Sequence, residues 1–292
     1  MAQFIGKFAG KPTNITPYWD LVKRIITESD VILQIVDARM VELSRNEEVE
    51  KIINEMKRPV IYVVNKSDLV EKNALHSQVA GLERDGKKVV FVSNKNKMSY
   101  KILLFEIRKM FKENGKAKLP TETGTSEGYQ YRMPIADIVV GVLGYPNVGK
   151  SSIINGLAHK KKMKVSKKAG TTHGMHWIRI SDDIKIIDSP GVIPLTKNDD
   201  VRYGLIGARD NETLSRPDVV ANAVIKLFMK SNKKAFERFY DVSIGEDEKD
   251  DFEIIIEKIG NRKRYLLKRN RIDENRVYTD IVRNWQQGSL RF

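Results

Sequence analysis

The chain has 292 residues, enough to bury a full α/β core with a smaller satellite domain, and it carries no cysteine, which excludes a disulfide framework and a thiolate metal site. No apolar run reaches the ~18 residues of a membrane span, and the N-terminus lacks a signal-peptide pattern, so a cytoplasmic location is expected. The formal net charge of +14 favours a polyanionic partner over an exclusively acidic-protein one.

The first apolar strand is Val31 to Val36, which ends in Asp37-Ala38-Arg39 and is followed by Ser44-Arg45-Asn46. Val60 to Val64 reads as a second buried strand. Asn65-Lys66-Ser67-Asp68 follows at its C-terminal end, where open α/β sheets bind ligands. The residue types suit guanine. The Asp68 carboxylate can accept from the base N1–H and 2-amino group together. Adenine offers an acceptor at N1 and no 2-amino group, so it would leave a buried charge unpaired. Asn65 suits the guanine O6/N7 edge, and the Lys66 stem can lie across the base. A third strand, Lys88 to Val92, delivers Ser93, Asn94 and Lys95 to the position of a second guanine-contact loop. Asn114 to Arg132, rich in Gly, Thr, Ser and Lys, reads as a surface loop.

Ile135 to Leu143 is a fourth buried strand, and it runs into Gly144-Tyr145-Pro146-Asn147-Val148-Gly149-Lys150-Ser151. This is the G-x-x-x-x-G-K-[ST] phosphate loop, with Ser152 to Leu157 continuing as a helix start. Its backbone N–H groups and the helix N-terminus cradle the α/β-phosphates. Lys150 is placed to reach the β/γ-phosphates and the Ser151 hydroxyl to bind Mg²⁺. In Ala169-Gly-Thr-Thr172, the place for switch I, Thr172 is the expected sensor of Mg²⁺ and γ-phosphate, with Thr171 able to take the role instead. The strand Ile184 to Ile187 leads to Asp188-Ser189-Pro190-Gly191, the D-x-x-G of switch II. There Asp188 would hold Mg²⁺ through water and the Gly191 amide would sense the γ-phosphate. Where Ras-like enzymes carry a water-orienting Gln, this chain has Val192. An apolar side chain cannot orient or deprotonate water, so unassisted hydrolysis is expected at or below the order of 10⁻³ s⁻¹.

Both motifs must reach one nucleotide, GTP or GDP, yet the guanine motif precedes the phosphate loop, the reverse of the ordinary order. The domain has been cut and rejoined: a circularly permuted P-loop GTPase domain of α/β class, its mostly parallel sheet flanked by helices. The ordered series of guanine motif, Ser-Asn-Lys, G-Y-P-N-V-G-K-S-S, A-G-T-T and D-S-P-G resembles the circularly permuted ribosome-biogenesis GTPases of the YlqF/YawG type, across roughly residues 15 to 290. The Asp37-Ala38-Arg39 and Ser44-Arg45-Asn46 segment resembles that family's D-A-R…R-N. The resemblance implies action on the large ribosomal subunit through rRNA contact and a small helical C-terminal RNA-binding domain. It also implies a K⁺ ion held by Asn147 against the phosphates, supplying the positive charge of an arginine finger and stimulating turnover. The chain departs from the family where Val41 and Ala169 replace usual prolines. It also lacks any His in Met1 to Tyr18, where bacterial relatives carry one implicated in hydrolysis. His173 and His176, just past switch I, are placed to substitute, with His173 the candidate for chemistry.

Two basic runs stand out. His159 to Lys168 holds six lysines, among them Lys160, Lys161, Lys162 and Lys164. Asn261 to Arg271 holds six cations, Arg262, Lys263, Arg264, Lys268, Arg269 and Arg271, around Tyr265. Either alone would read as a solvated face; together they point to phosphate-backbone contact. No aromatic base-stacking signature is visible. Helical spacing in Asp218 to Tyr240, Glu253 to Leu267 and Asp273 to Gln287 predicts a small bundle. The expected division is a GTPase domain over 1–200 and a helical RNA-binding domain over 201–292, in a monomer. Permutation then attaches switch II directly to the bundle through Val192 to Arg216, with Pro194, Gly204 and Gly207 as the hinge region, so that loss of the γ-phosphate reorients the bundle. Two other readings stay open: an RNA-binding scaffold with nucleotide as a structural ligand, and a GTPase acting on tRNA.

Overall fold

A computed structural model describes residues 16–116, 138–158, 176–188 and 199–292. Among the described residues six strands form one sheet: β1 (Val31–Asp37), β2 (Val60–Asn65), β3 (Lys88–Phe91), β4 (Ile138–Leu143), β5 (His176–Arg179) and β6 (Ile184–Asp188). The order is β3-β2-β1-β4-β6-β5; β5 is an antiparallel edge and the other five strands run parallel. Every residue of β1 and β4 is buried, which is why both read as near-continuous apolar runs: a parallel sheet is covered on two faces. The edge strand β5 was not legible in the sequence.

The chain lays down β1, β2 and β3 outward in one direction, then returns to place β4 on the other side of β1. The reversal between β1 and β4 is the topological switch point of the sheet, where the strands' carboxyl ends leave a crevice for ligands. Each parallel strand ends there in a polar residue or motif singled out above: Asp37, Asn65, Ser93 just past β3, the phosphate loop after β4, and Asp188.

Helices α1 (Thr16–Glu28), α2 (Val41–Ser44), α3 (Glu47–Glu55), α4 (Lys72–Arg84), α5 (Lys97–Asn114) and α6 (Lys150–Leu157) cover the sheet. Val22, Ile25, Val49, Ile53, Leu103 and Ile153 join the main sheet core, while Leu75 and Val79 of α4 close a smaller cluster with Val36 and Val64. The expected loop from Asn114 begins where Gly115 (φ 73) ends α5; residues 117–137 lie outside the described part.

The C-terminal part contains α7 (Asp200–Leu205), α8 (Pro217–Ser231), α9 (Lys233–Tyr240), α10 (Phe252–Lys263) and α11 (Glu274–Gln287). Helices α8 to α11 enclose a second core around Val224, Phe228, Phe236, Ile259, Ile281 and Trp285. The expected 218–240 helix is two helices: Asn232 (φ −155) leaves the helical region and its side chain caps α9 by accepting from Ala235 N at 3.1 Å. Helix α10 stops at Lys263, not Leu267, because Arg264 takes a left-handed conformation (φ 55) and Leu266 then bridges to Ile272. Helix α7 straddles the two cores. Tyr203 belongs to the sheet core and Leu205 to the helical one. Gly204 serves close packing here, since a Cβ on it would lie 2.7 Å from the Val220 methyls. Among the described residues no helix is long and apolar enough to cross a membrane.

Candidate nucleotide-binding site

The loop between β4 and α6 has a backbone that glycine alone fits at two points. A Cβ on Gly144 (φ 155) would lie 2.7 Å from Ile35 O, and one on Gly149 (φ 103) 2.1 Å from Asn65 Nδ2. The loop wraps tightly before the N-terminus of α6, the arrangement that presents backbone donors to phosphate. Tyr145, Pro146 and Val148 are buried beneath it, whereas Ser151 and Ser152 are half-buried in the first turn of α6. The Lys150 ammonium is held inside, donating to Gly144 O at 2.8 Å and Tyr145 O at 2.9 Å. Burial lowers its pKa to about 8, opposed by the negative charge of Asp188. Asp188 is itself buried at the end of β6, in register with Val142 beside the loop.

The guanine motif is fastened to the phosphate loop. Asn65 Nδ2 donates to Val148 O at 2.8 Å, which leaves its second amide hydrogen for the base edge. Lys66, in the left-handed region (φ 60), donates to Asn147 O at 3.0 Å. The Asp68 carboxylate accepts from Ser93 Oγ at 2.7 Å and pairs with Lys95 Nζ at 2.8 Å. Burial would raise the Asp68 pKa, but the hydrogen bonds from Lys95 and Ser93 outweigh it and hold the group below its ordinary value. The carboxylate is therefore ionised at neutral pH, a charged acceptor at the carboxyl end of β2. Asn94 accepts from Tyr100 OH, fixing the loop to α5. The Ser93-Asn94-Lys95 loop thus stands beside Asp68.

The glycine cradle, the lysine, the half-buried Ser151 hydroxyl and the buried Asp188 carboxylate fit a Mg²⁺-nucleotide in chemistry and placement. Thr171, Thr172, His173 and Gly191, together with Lys160, Lys161, Lys162 and Lys164, lie outside the described residues. His176 opens β5, its backbone opposite Asp188. Asn147, expected as a K⁺ ligand, also ties the phosphate loop to the turn after α7, its amide donating to Gly207 O at 2.9 Å and Asp210 Oδ1 at 3.0 Å.

Sequence reasoning singled out Asp37-Ala-Arg39 and Arg45-Asn46 only for their family likeness. In the structure they brace the site. Asn46 caps α3 by accepting from Val49 N at 2.9 Å and donates to Tyr145 OH at 2.9 Å. Arg202 of α7 sits 5.5 Å over the Tyr145 ring and donates to Leu43 O and Arg45 O. Asp37 is fully buried, which a charge at the end of an apolar strand could have signalled. The six C-terminal cations Arg262, Lys263, Arg264, Lys268, Arg269 and Arg271 are all exposed around the turn between α10 and α11, closed by Leu267 N donating to Arg271 O at 2.7 Å. Arg262 pairs with Asp241, and Lys263 lies 5.8 Å over the Tyr240 ring.

A phosphate loop and a guanine motif converging at the switch point of a parallel sheet define a P-loop GTPase whose strands are joined in permuted order. A family profile described as 50S ribosome-binding GTPase matches residues 139–258. The fold is similar to YlqF from T. maritima in its GDP-bound structure (TM-score 0.60, 18% identity, covering 92% of this chain and 95% of that one) and its GNP-bound structure (TM-score 0.58, 18% identity, 94% of each). By sequence the chain is 35% identical over 276 residues to an uncharacterized GTP-binding protein of Methanocaldococcus jannaschii, covering 94% of this chain and 66% of that protein. It is 29% identical over 275 residues to nucleolar GTP-binding protein 2 of Saccharomyces cerevisiae, covering 93% and 52% respectively. The chain thus spans between about half and two-thirds of these curated relatives' lengths. Its fold is that of a circularly permuted P-loop GTPase domain, the fold that YlqF also shows.

Proposed function

We propose that the chain is a GTP-hydrolysing assembly factor for the large ribosomal subunit, acting in the cytoplasm as a monomer through rRNA contact. The observation that carries the reading is the seating of a helical unit, with an exposed basic turn, directly on the phosphate loop and the segments around the guanine motif. The family profile's description, 50S ribosome-binding GTPase, and that of one relative, nucleolar GTP-binding protein 2, support the ribosomal direction. In this reading residues 1–200 are the GTPase domain and 201–292 the RNA-binding one, with Lys160, Lys161, Lys162 and Lys164 and the turn from Arg262 to Arg271 contacting phosphates.

Ser151, Thr172 and Asp188 would hold Mg²⁺, which neutralises charge on the β- and γ-phosphate oxygens. Lys150 lies beneath the loop with its ammonium on two carbonyls, and it exchanges these for phosphate oxygens when nucleotide enters. The Asn147 amide nitrogen is engaged with Gly207 and Asp210, so its Oδ1 is the atom that would face K⁺. With Val192 unable to orient water, turnover alone is slow, and K⁺ together with a partner raises it; His173 is the candidate to assist. Gly191 and Thr172 let go when the γ-phosphate leaves, and the covalent link from switch II carries that release to the helical domain.

The test is GTP turnover in potassium buffer with and without purified large subunits, with Lys150→Ala as the blank. Stimulation by subunits that vanishes in the variant supports the assembly factor. Binding without stimulation by large subunits favours the scaffold reading, which Val192 keeps in view. Equal rates in Na⁺ and K⁺ would remove the potassium part alone.

A further inference from the structure

The Asp37 carboxylate, fully buried at the end of β1, meets two cations. Its Oδ1 accepts from Arg39 N at 3.0 Å and Arg39 Nε at 2.9 Å; its Oδ2 accepts from Arg39 Nη2 at 2.8 Å and Lys66 Nζ at 2.7 Å. Arg39, also buried, reaches into the helical unit: its guanidinium lies 4.6 Å over the Trp285 ring and Nη1 donates to the Trp285 carbonyl. From α11 the contacts turn back toward the phosphate loop. Trp285 Nε1 donates to Leu205 O at 2.8 Å, and Gln286 Nε2 to Gly204 O at 3.0 Å and Arg209 O at 2.9 Å. Asn147 then donates to Gly207 O, and Lys66 donates to Asn147 O. The contacts therefore close a ring: Asn147, Lys66, Asp37, Arg39, Trp285 and Gln286, the 204–210 turn, and Asn147 again. Beside it Leu69, one residue past the guanine carboxylate, is so close to Gly288 that a Cβ there would lie 2.8 Å from its methyl.

Burying the Asp37–Arg39 pair is not a stability device as such, since a well-packed apolar replacement is often as stable or more so. What the cluster does supply is one defined position for the Lys66 ammonium, conditional on where α11 sits. We propose that Asp37 and Arg39 are positioning residues for guanine-nucleotide binding, and that Arg39 couples the occupancy of the base pocket to the seating of α11. Coupling is reciprocal: nucleotide tightens α11 against Arg39, and a ligand of the helical unit that draws α11 away weakens nucleotide by the same factor. The inference rests on the reading of Lys66 as the residue lying across the base. It is separate from the γ-phosphate link, because it acts through the guanine side and operates with GDP as well as GTP.

The experiment uses the full chain with a fluorescent GDP analogue, melting temperature and amide exchange of α11 with and without GDP. Arg39→Met keeps volume and removes the donors; Ile259→Val, in the same helical core but away from Arg39, is the control for lost packing. Arg39→Met is expected to weaken GDP about tenfold, in the range of ordinary coupling, while Ile259→Val lowers the melting temperature without moving affinity. GDP should slow exchange at the C-terminal end of α11 in the wild type and fail to do so in Arg39→Met. Gln286→Ala, half-buried, opens the ring at its other side and should weaken GDP in the same direction even if Arg39→Met does not fold. GDP affinity unchanged in Gln286→Ala and in any folded Arg39 variant, or equal protection of α11 in wild type and variant, would overturn the coupling. A wild-type chain that binds no GDP would overturn the nucleotide reading instead.

Discussion

The Ser93 hydroxyl donates to Asp68 Oδ1 at 2.7 Å, so a residue of the loop after β3 aims the carboxylate of the loop after β2. With Lys95 on the other oxygen, the carboxylate is held in one plane and kept ionised. On the proposed reading, in which this charge accepts from two guanine N–H groups, Asp68→Asn is expected to weaken GDP by about 3 kcal/mol, on the order of 100-fold. The same change should favour xanthosine diphosphate relative to GDP, because its 2-oxo group needs a donor. Ser93→Ala removes only the aiming contact and should cost about 1 kcal/mol. Calorimetric titration of the three proteins with GDP and xanthosine diphosphate measures both effects; equal losses in the two variants would contradict the assigned roles.

Lys150 gives the site a pH dependence of calculable sign. Burial favours its neutral form and lowers its pKa to about 8, from 10.5 in the unfolded chain. Between these values the unfolded chain binds more protons than the fold, so this residue's contribution to stability rises with pH across that window and is least favourable below about 8. Nucleotide phosphates favour the charged form and must raise the pKa. Binding at pH 8 to 9 therefore takes up a proton, and GDP affinity falls as pH climbs above 8, approaching tenfold per unit at most. Calorimetry in two buffers of different ionisation enthalpy reads the uptake directly. The Lys150→Ala protein should show neither uptake nor slope from this source; an unchanged slope would assign it to another group.

The strands of this site were readable because each combines a dense apolar run with a motif at its carboxyl end. Val60 to Asn65 and Ile138 to Leu143 needed no tertiary information beyond that. Edge strand β5 was missed for the complementary reason. His176 to Arg179 is short, and Trp177 is 45% exposed, so it carries no run of buried residues to recognise. The break at Asn232 was hidden because the apolar spacing continues across it from Phe228 to Phe236, and only the cap to Ala235 separates the helices. The contacts of Asp37, Arg39 and Trp285 could not be read at all. They join positions 246 residues apart, and no local pattern announces which buried charge meets which distant ring.

Glycine at 149 is required by a neighbour as well as by its φ of 103. An added Cβ would lie 2.1 Å from Asn65 Nδ2, and Asn65 is buried and fixed to Val148 O, so it cannot swing aside without leaving the guanine site. Gly149→Ala is expected to cost about 1–3 kcal/mol in backbone strain and displacement and to abolish measurable nucleotide binding. Gly86→Ala is the matched comparison: its φ is +68, with nothing within 4 Å of the new Cβ. It should cost about 1–2 kcal/mol and leave GDP affinity intact. Thermal melts and fluorescent-GDP titrations of the pair separate strain from site damage; equal affinities would show that Asn65 can move without consequence.

The basic turn between α10 and α11 tests the RNA reading without touching the nucleotide. Leu267 N and Arg271 O close it, while Arg269 (φ 63) and Asn270 (φ 59) hold the left-handed region, so Lys268, Arg269 and Arg271 project from one tight, exposed turn. If they neutralise phosphates, affinity for structured rRNA fragments falls steeply with salt. Replacing all three by alanine should lower the slope of log K against log salt by about 2 to 3, since each phosphate contact contributes roughly 0.7–0.9. The loss should be similar for fragments of unrelated sequence, because backbone contacts carry no base information. GDP affinity is expected to stay unchanged, as none of the three touches the phosphate loop or the guanine motif. Filter binding across a salt series reads the slope. A triple variant that keeps the wild-type slope would move the RNA contact away from this turn and leave the lysines of 160–164 as the remaining basic run to carry it.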